Sequence, residues 1–365
     1  MTIEFQVRKD NFAEHRLIDA ASAAKDESLT AGTVRVKVER FAFTANNITY
    51  AAAGEQIGYW QFFPPTGVDA DGWGIIPVWG FAEVTASTTD DMPEGERLFG
   101  YFPTATIHDM SPTHITRQGF IEGAGHRSHL PPAYNRYTRV NGEPGYDRAT
   151  DNERMLLWPL YITSFCLWDA LKDSDWHDAQ QVVVVSASSK TSIGLAYALH
   201  DDSSAPPAAA ITSPRNLAFV RELGLYQQSV TYDSLADIDA TIPTVIVDMS
   251  GNAEVLGQLH RHLGDNMQRC INVGLTHWDE AGSADGIITE RSEFFFAPSH
   301  IQKRLQDWGP EAFSQKTATF MQETAAKSRT WLQFRQLGGL EGLAEVYGDV
   351  CAGRVPANEA LIVEL

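Results

Sequence analysis

The chain has 365 residues, 43% hydrophobic and 21% charged, which suits a globular protein of two domains with sizeable cores. Its formal net charge of −19 disfavours nonspecific binding to nucleic acid or to anionic membranes, so an anionic ligand needs a local basic pocket. No apolar run approaches the roughly 18 residues of a membrane span, and the start, MTIEFQVRKDNF, lacks the apolar core of a secretion signal. Three widely spaced cysteines, Cys166, Cys270 and Cys351, fit neither a disulfide framework nor a structural zinc site and point to a reducing compartment, the cytoplasm.

Residues 1–110 read as β-rich. From Thr33 to Glu39, valines alternate with Arg35, Lys37 and Glu39, the period-2 mark of a half-buried strand. A turn is expected at Asn46-Asn47. Residues 54–74 hold Tyr59, Trp60, Phe62, Phe63 and Trp73 among Gly and Pro, a poor helix and a plausible binding loop. Ile75 to Val84 and Arg97 to Phe102 read as strands, and short strands with turns between them imply a sandwich or barrel. Residues 103–153 read as loop and carry His108, His114, His126 and His129. No carboxylate or cysteine sits at a ligand spacing with these histidines, so no metal is expected.

Residues 153–172 are apolar and helical, broken or started at Pro159. The stretch Gln180 to Leu199, QQVVVVSASSKTSIGLAYAL, then organises the rest. A four-valine run reads as a buried parallel strand. A loop of small residues follows, and a helix opens at Thr191 or Ser192. Such a corner points backbone N–H groups and a positive dipole end at one place, which suits a phosphate. Dinucleotide folds begin with this order, marked by three glycines. Only Gly194 stands at the third place here, with Ser188 and Ser192 where the first two would fall. Serine hydroxyls and the Lys190 cation can still hold a phosphate. The plainer alternative is a strand–helix corner that binds nothing.

Alternating units follow. Strands are expected at Ala208–Thr212, Thr244–Asp248 and Arg269–Val273, with helices at Pro214–Glu222 and Ala253–Leu263. That is the pattern of a doubly wound α/β sheet. Further on, Glu311–Lys327 and Leu340–Cys351 read as helices. Trp331–Phe334 and Leu361–Leu365 read as strands, the last needing a sheet to join.

Several segments together resemble the medium-chain dehydrogenase/reductase superfamily, in particular its zinc-free quinone-oxidoreductase-like branch. These are Asn46–Tyr50, PVWGFAEV at Pro77–Val84, GERLFGY at Gly95–Tyr101, LAFVRELG at Leu217–Gly224, DMSG at Asp248–Gly251 and NVG at Asn272–Gly274. With the corner before Gly194 they cover nearly the whole chain. The chain looks most like a divergent bacterial family of unknown function within that superfamily, similar to DUF2855. The resemblance implies a GroES-like β-barrel catalytic domain (residues 1–153, returning at 301–365) and a Rossmann domain (154–300). It further implies NADP(H), a small-molecule substrate in the cleft and a homodimer through the cofactor domain. The zinc ligands of other branches have no counterpart here.

Cofactor choice has a physical argument. An NAD site needs an acid at the end of the second strand. The strand ends Ile211-Thr212-Ser213-Pro214-Arg215, without one. Ser213 and Arg215 can instead hold a 2′-phosphate, with Tyr232 flanking the adenine side. Ser188, Ser189, Lys190, Thr191, Ser192 and Ser250 complete the expected cofactor contacts, and Gly274, Leu275 and Thr276 those to the nicotinamide. Hydride transfer to a carbonyl, enone or quinone also needs a donor for the developing oxyanion and dry walls. Asn47, Tyr50 and Tyr59 are the candidates, the tyrosines acting as acids if their pKa is lowered. Two other readings stay open. One is a lyase or retro-aldolase on the same fold, using Tyr134 or His129. The other is a noncatalytic NADPH-binding protein.

Overall fold

The computed structural model describes residues 2–19, 28–67, 69–273 and 286–365. The chain divides into two compact units, residues 1–156 with 332–365 and residues 157–331. The return to the first unit falls at Leu332 rather than at residue 301, because Ala297 and Phe313 pack with Phe165 and Cys166 in the second unit.

The first unit begins with β1 (Ile3–Arg8), β2 (His15–Asp19) and β3 (Val34–Phe43). Val34, Val36 and Val38 of β3 are fully buried, as their alternation requires. Helix α1 (Ala45–Ala52) occupies the place of the turn expected at Asn46-Asn47. The reason is a capping box: Thr44 caps the helix and Asn47 reaches back to the Thr44 backbone, satisfying two first-turn donors. Then come β4 (Trp73–Gly74), β5 (Pro77–Ser87) and β6 (Arg97–Pro103). Residues 103–153, expected as loop, instead carry β7 (Ile107–Met110), β8 (Pro112–Thr113), β9 (Gly119–Glu122) and β10 (Arg136–Arg139). These short strands owe their existence to distant partners, β7 to β3 and β10 to β6. Local composition does not reveal such pairings.

Helix α2 (Asp151–Asp173) carries the chain into the second unit with Pro159 inside it. Proline does not break the helix, since burial of Leu160, Tyr161, Phe165 and Leu167 offsets a loss of about 3 kcal/mol. The alternation follows as β11 (Gln181–Val185), α3 (Lys190–Asp201), β12 (Ala208–Thr212), α4 (Leu217–Glu222), β13 (Gln228–Thr231), β14 (Thr244–Asp248), α5 (Ala253–Leu263), β15 (Met267–Val273) and β16 (Ser292–Phe295). These strands form one sheet in the order β13-β12-β11-β14-β15-β16, with every pairing parallel. That is the doubly wound Rossmann order. All four valines of β11 are fully buried, as a strand covered on both faces demands. Helices α6 (Ala297–Trp308) and α7 (Pro310–Ser328) close the unit. Asp169 of α2 ties α6 down: His300 Nε2 lies 2.6 Å from its carboxylate, and Arg304 bonds the same oxygen.

The chain returns through β17 (Gln333–Gly338), α8 (Gly339–Cys351) and β18 (Glu359–Glu364). β18 lies between β17 and β3, so the final strand finds its sheet in the first unit. Among the described residues that sheet has nine strands, ordered β17-β18-β3-β5-β6-β10-β9-β8, with β7 on β3.

Candidate active site

In the second unit the candidate cofactor corner opens after Val185. Val185 is in register with Ile211 on one side and Asp248 on the other, so the loop emerges where the strand order reverses, the binding position of open α/β sheets. Ser186 takes φ +63°, the left-handed region that glycine fills at least cost. Counted back from Gly194, the first two positions of G-x-G-x-x-G are Ser189 and Thr191, not Ser188 and Ser192. Gly194 fills its place for the reason the pattern gives, close packing. A Cβ there would lie 2.5 Å from Ser164 Oγ and 2.6 Å from Tyr161 Cδ1.

The loop serines also hydrogen-bond within the corner itself. Ser189 Oγ caps α3 by accepting from Ser192 N at 3.1 Å. The buried Ser192 hydroxyl donates to Ser186 O at 2.9 Å and lies 3.1 Å from Met249 Sδ. Ser188 Oγ accepts from Asn216 Nδ2 at 2.9 Å and Thr212 Oγ1 at 3.2 Å. Side-chain hydroxyls thus replace the missing glycines as a brace. Thr191 accepts at its carbonyl from Ser164 Oγ at 2.7 Å, and Lys190, half-buried, opens α3.

At the end of β12 the Ser213 hydroxyl is buried without a hydrogen-bond partner among the described residues. Arg215 is exposed on the turn that follows. Tyr232 is half-buried, and burial raises its phenol pKa while Ser186 beside it opposes the shift. The Ser250 hydroxyl donates to Asp248 at 2.6 Å, and Gly251 N donates to the same carboxylate at 3.0 Å. Burial raises the Asp248 pKa. Gly274, Leu275 and Thr276 lie outside the described residues.

In the first unit the candidate catalytic residues gather in an aromatic nest. Tyr50 and Tyr59 have ring centroids 4.6 Å apart, Tyr101 and Tyr134 4.7 Å, and Trp79 and Tyr101 5.3 Å. The Tyr59 and Tyr134 hydroxyls are 3.0 Å apart. Asn46 and Trp79 stand beside the Tyr50 hydroxyl. Burial raises the pKa of Tyr50, Tyr59, Tyr101 and Tyr134, the reverse of the expected lowering, because a phenolate loses its hydration there. These phenols are neutral hydrogen-bond donors. Asn47 serves the fold: its Oδ1 accepts from Thr44 N at 2.8 Å and its Nδ2 donates to Pro77 O at 3.0 Å. Trp60 belongs to the main core, whereas Tyr59 and Phe62 sit in the nest.

The loop histidines are not all solvated. His108 is pressed against Phe63, and burial, then the charge of Arg127, lowers its pKa to about 3. His129 is exposed and pairs with Gln61 Oε1 at 2.8 Å. Among the described residues no group of three His, Cys, Asp or Glu side chains is placed to hold a metal ion. Sequence reading missed Trp79, Tyr101 and Arg127. The first two face each other across β5 and β6, so their strand alternation held the signal. Arg127 sits in a polar loop sequence and announces nothing.

The fold of this chain is shared with several solved structures. CurA from Vibrio vulnificus matches with a TM-score of 0.61 at 10% identity, over 100% of this chain and 98% of that one. Its complex with NADPH matches at 0.57 and 10% identity, over 96% and 94%. The yhdH oxidoreductase from Salmonella enterica in complex with NADP matches at 0.52 and 14% identity, over 100% of both chains. No curated protein matches the sequence. Residues 41–356 match the family described as a protein of unknown function, DUF2855, and the chain belongs to that family.

Proposed function

We propose that the protein is an NADP(H)-dependent reductase of a small carbonyl, enone or quinone-type compound, acting without zinc, as a cytoplasmic homodimer. The observation that carries the cofactor is the Ser213 hydroxyl, buried and without a partner among the described residues at the end of β12. A buried hydroxyl without a partner is costly, and a 2′-phosphate oxygen would satisfy it, with the Arg215 guanidinium supplying charge. The end of that strand, Thr212-Ser213-Pro214-Arg215, has no acid to read an unphosphorylated ribose. The NADPH and NADP named for the CurA and yhdH structures support the same choice.

Residues of the second unit fit the cofactor in stated ways. Lys190 and the first turn of α3 face a pyrophosphate with positive charge. Gly194 lets α3 pack closely. Bound there, NADPH supplies a hydride. In the first unit Tyr50 and one member of the hydrogen-bonded pair Tyr59 and Tyr134 offer neutral O–H donors to the oxygen that gains charge, and the aromatic walls exclude water.

The test is loss of NADPH absorbance with the full-length protein against a panel of enones, quinones and aldehydes. Turnover with at least one class is expected, and Tyr59→Phe should lower kcat about tenfold or more if its hydroxyl stabilises the transition state. Tight NADPH binding without turnover on any class would make the protein a noncatalytic binder instead.

A further inference from the structure

Two hydrogen-bond donors in the aromatic nest of the first unit have no acceptor among the described residues, Tyr101 Oη and Arg127 Nη1, both buried, and Trp79, whose indole stands beside the Tyr50 hydroxyl, packs on the same cluster. They belong to one cluster. The Trp79 and Tyr101 rings are 5.3 Å apart, and Phe62 lies 5.3 Å from Tyr101. Arg127 Cζ is 5.1 Å from the Phe62 ring and 4.8 Å from that of Phe63.

Arg127 is 1% exposed. Its other nitrogens build the fold. Nε donates to Asn135 Oδ1 at 2.9 Å, and Nη2 to Tyr134 O at 3.0 Å and Tyr137 Oη at 3.3 Å. All of those acceptors are neutral, and no carboxylate pairs with Arg127 among the described residues. Nearby His108 is held neutral by burial and by this same charge. A buried guanidinium hydrogen-bonded only to neutral groups can still take an anion as a direct partner. The walls are flat aromatic rings, which favour a flat apolar body. Trp79 and Tyr134 at the edge are only half-buried, so the nest reaches the surface.

We propose that this cluster is a carboxylate-binding subsite, in which Arg127 Nη1 and Tyr101 Oη hold the carboxylate of a planar unsaturated or aromatic acid. The subsite deepens the reductase reading, because it rests on the first unit holding the substrate and names that substrate's class. Its test needs no cofactor, so the two can fail separately.

The experiment is calorimetric titration of the full-length protein with cinnamate and with neutral cinnamamide. Cinnamate should bind about tenfold or more tightly than the amide, the size expected for a charge-assisted contact. Arg127→Met should erase that preference. Tyr101→Phe, which keeps the ring packing, should weaken cinnamate several-fold with an unchanged circular dichroism spectrum. It keeps the idea testable if Arg127→Met fails to fold. Equal affinity for acid and amide, no binding of either, or an intact preference in the folded variants would overturn the subsite. Cinnamate preference without NADPH turnover would sink the reductase reading alone, and turnover without the preference would sink the subsite alone.

Discussion

The proposed 2′-phosphate site rests on two side chains, Ser213 and Arg215. A buried hydroxyl and an exposed guanidinium stand at the end of β12. Ser213→Ala or Arg215→Ala should each weaken NADPH binding by about 1–2 kcal/mol, roughly tenfold, while leaving NADH almost unchanged. Titration of each variant with both nucleotides checks this, and an equal loss for both would remove the 2′-phosphate assignment. Ser186 is the strained residue, at φ +63°. Ser186→Gly should raise stability in urea unfolding by a few tenths of a kcal/mol to about 1 kcal/mol, the relief of left-handed strain less the greater freedom of unfolded glycine, and a loss of stability would contradict the strain. His108 makes a pH prediction. Its folded pKa is lowered to about 3 from 6.5, so below pH 6.5 the unfolded chain takes up a proton that the folded chain refuses. Stability from this group is therefore full above pH 6.5 and is lost as pH falls toward 3. His108→Gln should flatten that part of the profile in urea melts at pH 7 and pH 5.

Two elements carry a local chemistry that single substitutions can break. The capping box of α1 depends on Asn47, so Asn47→Ala should lower stability by about 1 kcal/mol, and more if the lost bond to Pro77 O leaves that carbonyl unpaired. Gly194→Ala should lower the midpoint of thermal unfolding, because its Cβ would meet Tyr161 and Ser164 inside 3.0 Å; overpacking of this kind costs about 1–3 kcal/mol. The elements differ in how legible they are. β12, β14 and α5 could be bounded from sequence, because a continuous apolar run or a strong apolar stripe ends there at a polar cap or a glycine. α1 could not, since its first turn reads as a polar turn until the Thr44–Asn47 reciprocity is known. β13 and β16 escape notice because QSVT and SEFF are too short for any period to show. At the site the strand ends were legible, but the serines' partners were not. Asn216, Met249 and Tyr161 reach the corner from other elements, and no local pattern encodes that.

For the whole molecule, the strand order β13-β12-β11-β14-β15-β16 places one corner, after β11, at the reversal point where such sheets hold nucleotides. The chain keeps that topology while exchanging glycine backbone for serine hydroxyls. In the proposed reading Lys190, the first turn of α3 and the end of β12 supply the positive charge that recognises the phosphates. The net charge of −19 makes these local cations matter more, because the rest of the surface repels a polyanion. Raising salt should therefore weaken nucleotide binding less than it would in a protein of positive charge, since screening removes repulsion as well as attraction.

The most direct measurement is quenching of intrinsic tryptophan fluorescence in the full-length protein by NADPH and by NADH. Saturable binding of NADPH, at least about tenfold tighter than NADH, is the predicted result. Equal affinity for the two nucleotides, or no saturable binding of NADPH, would contradict the account.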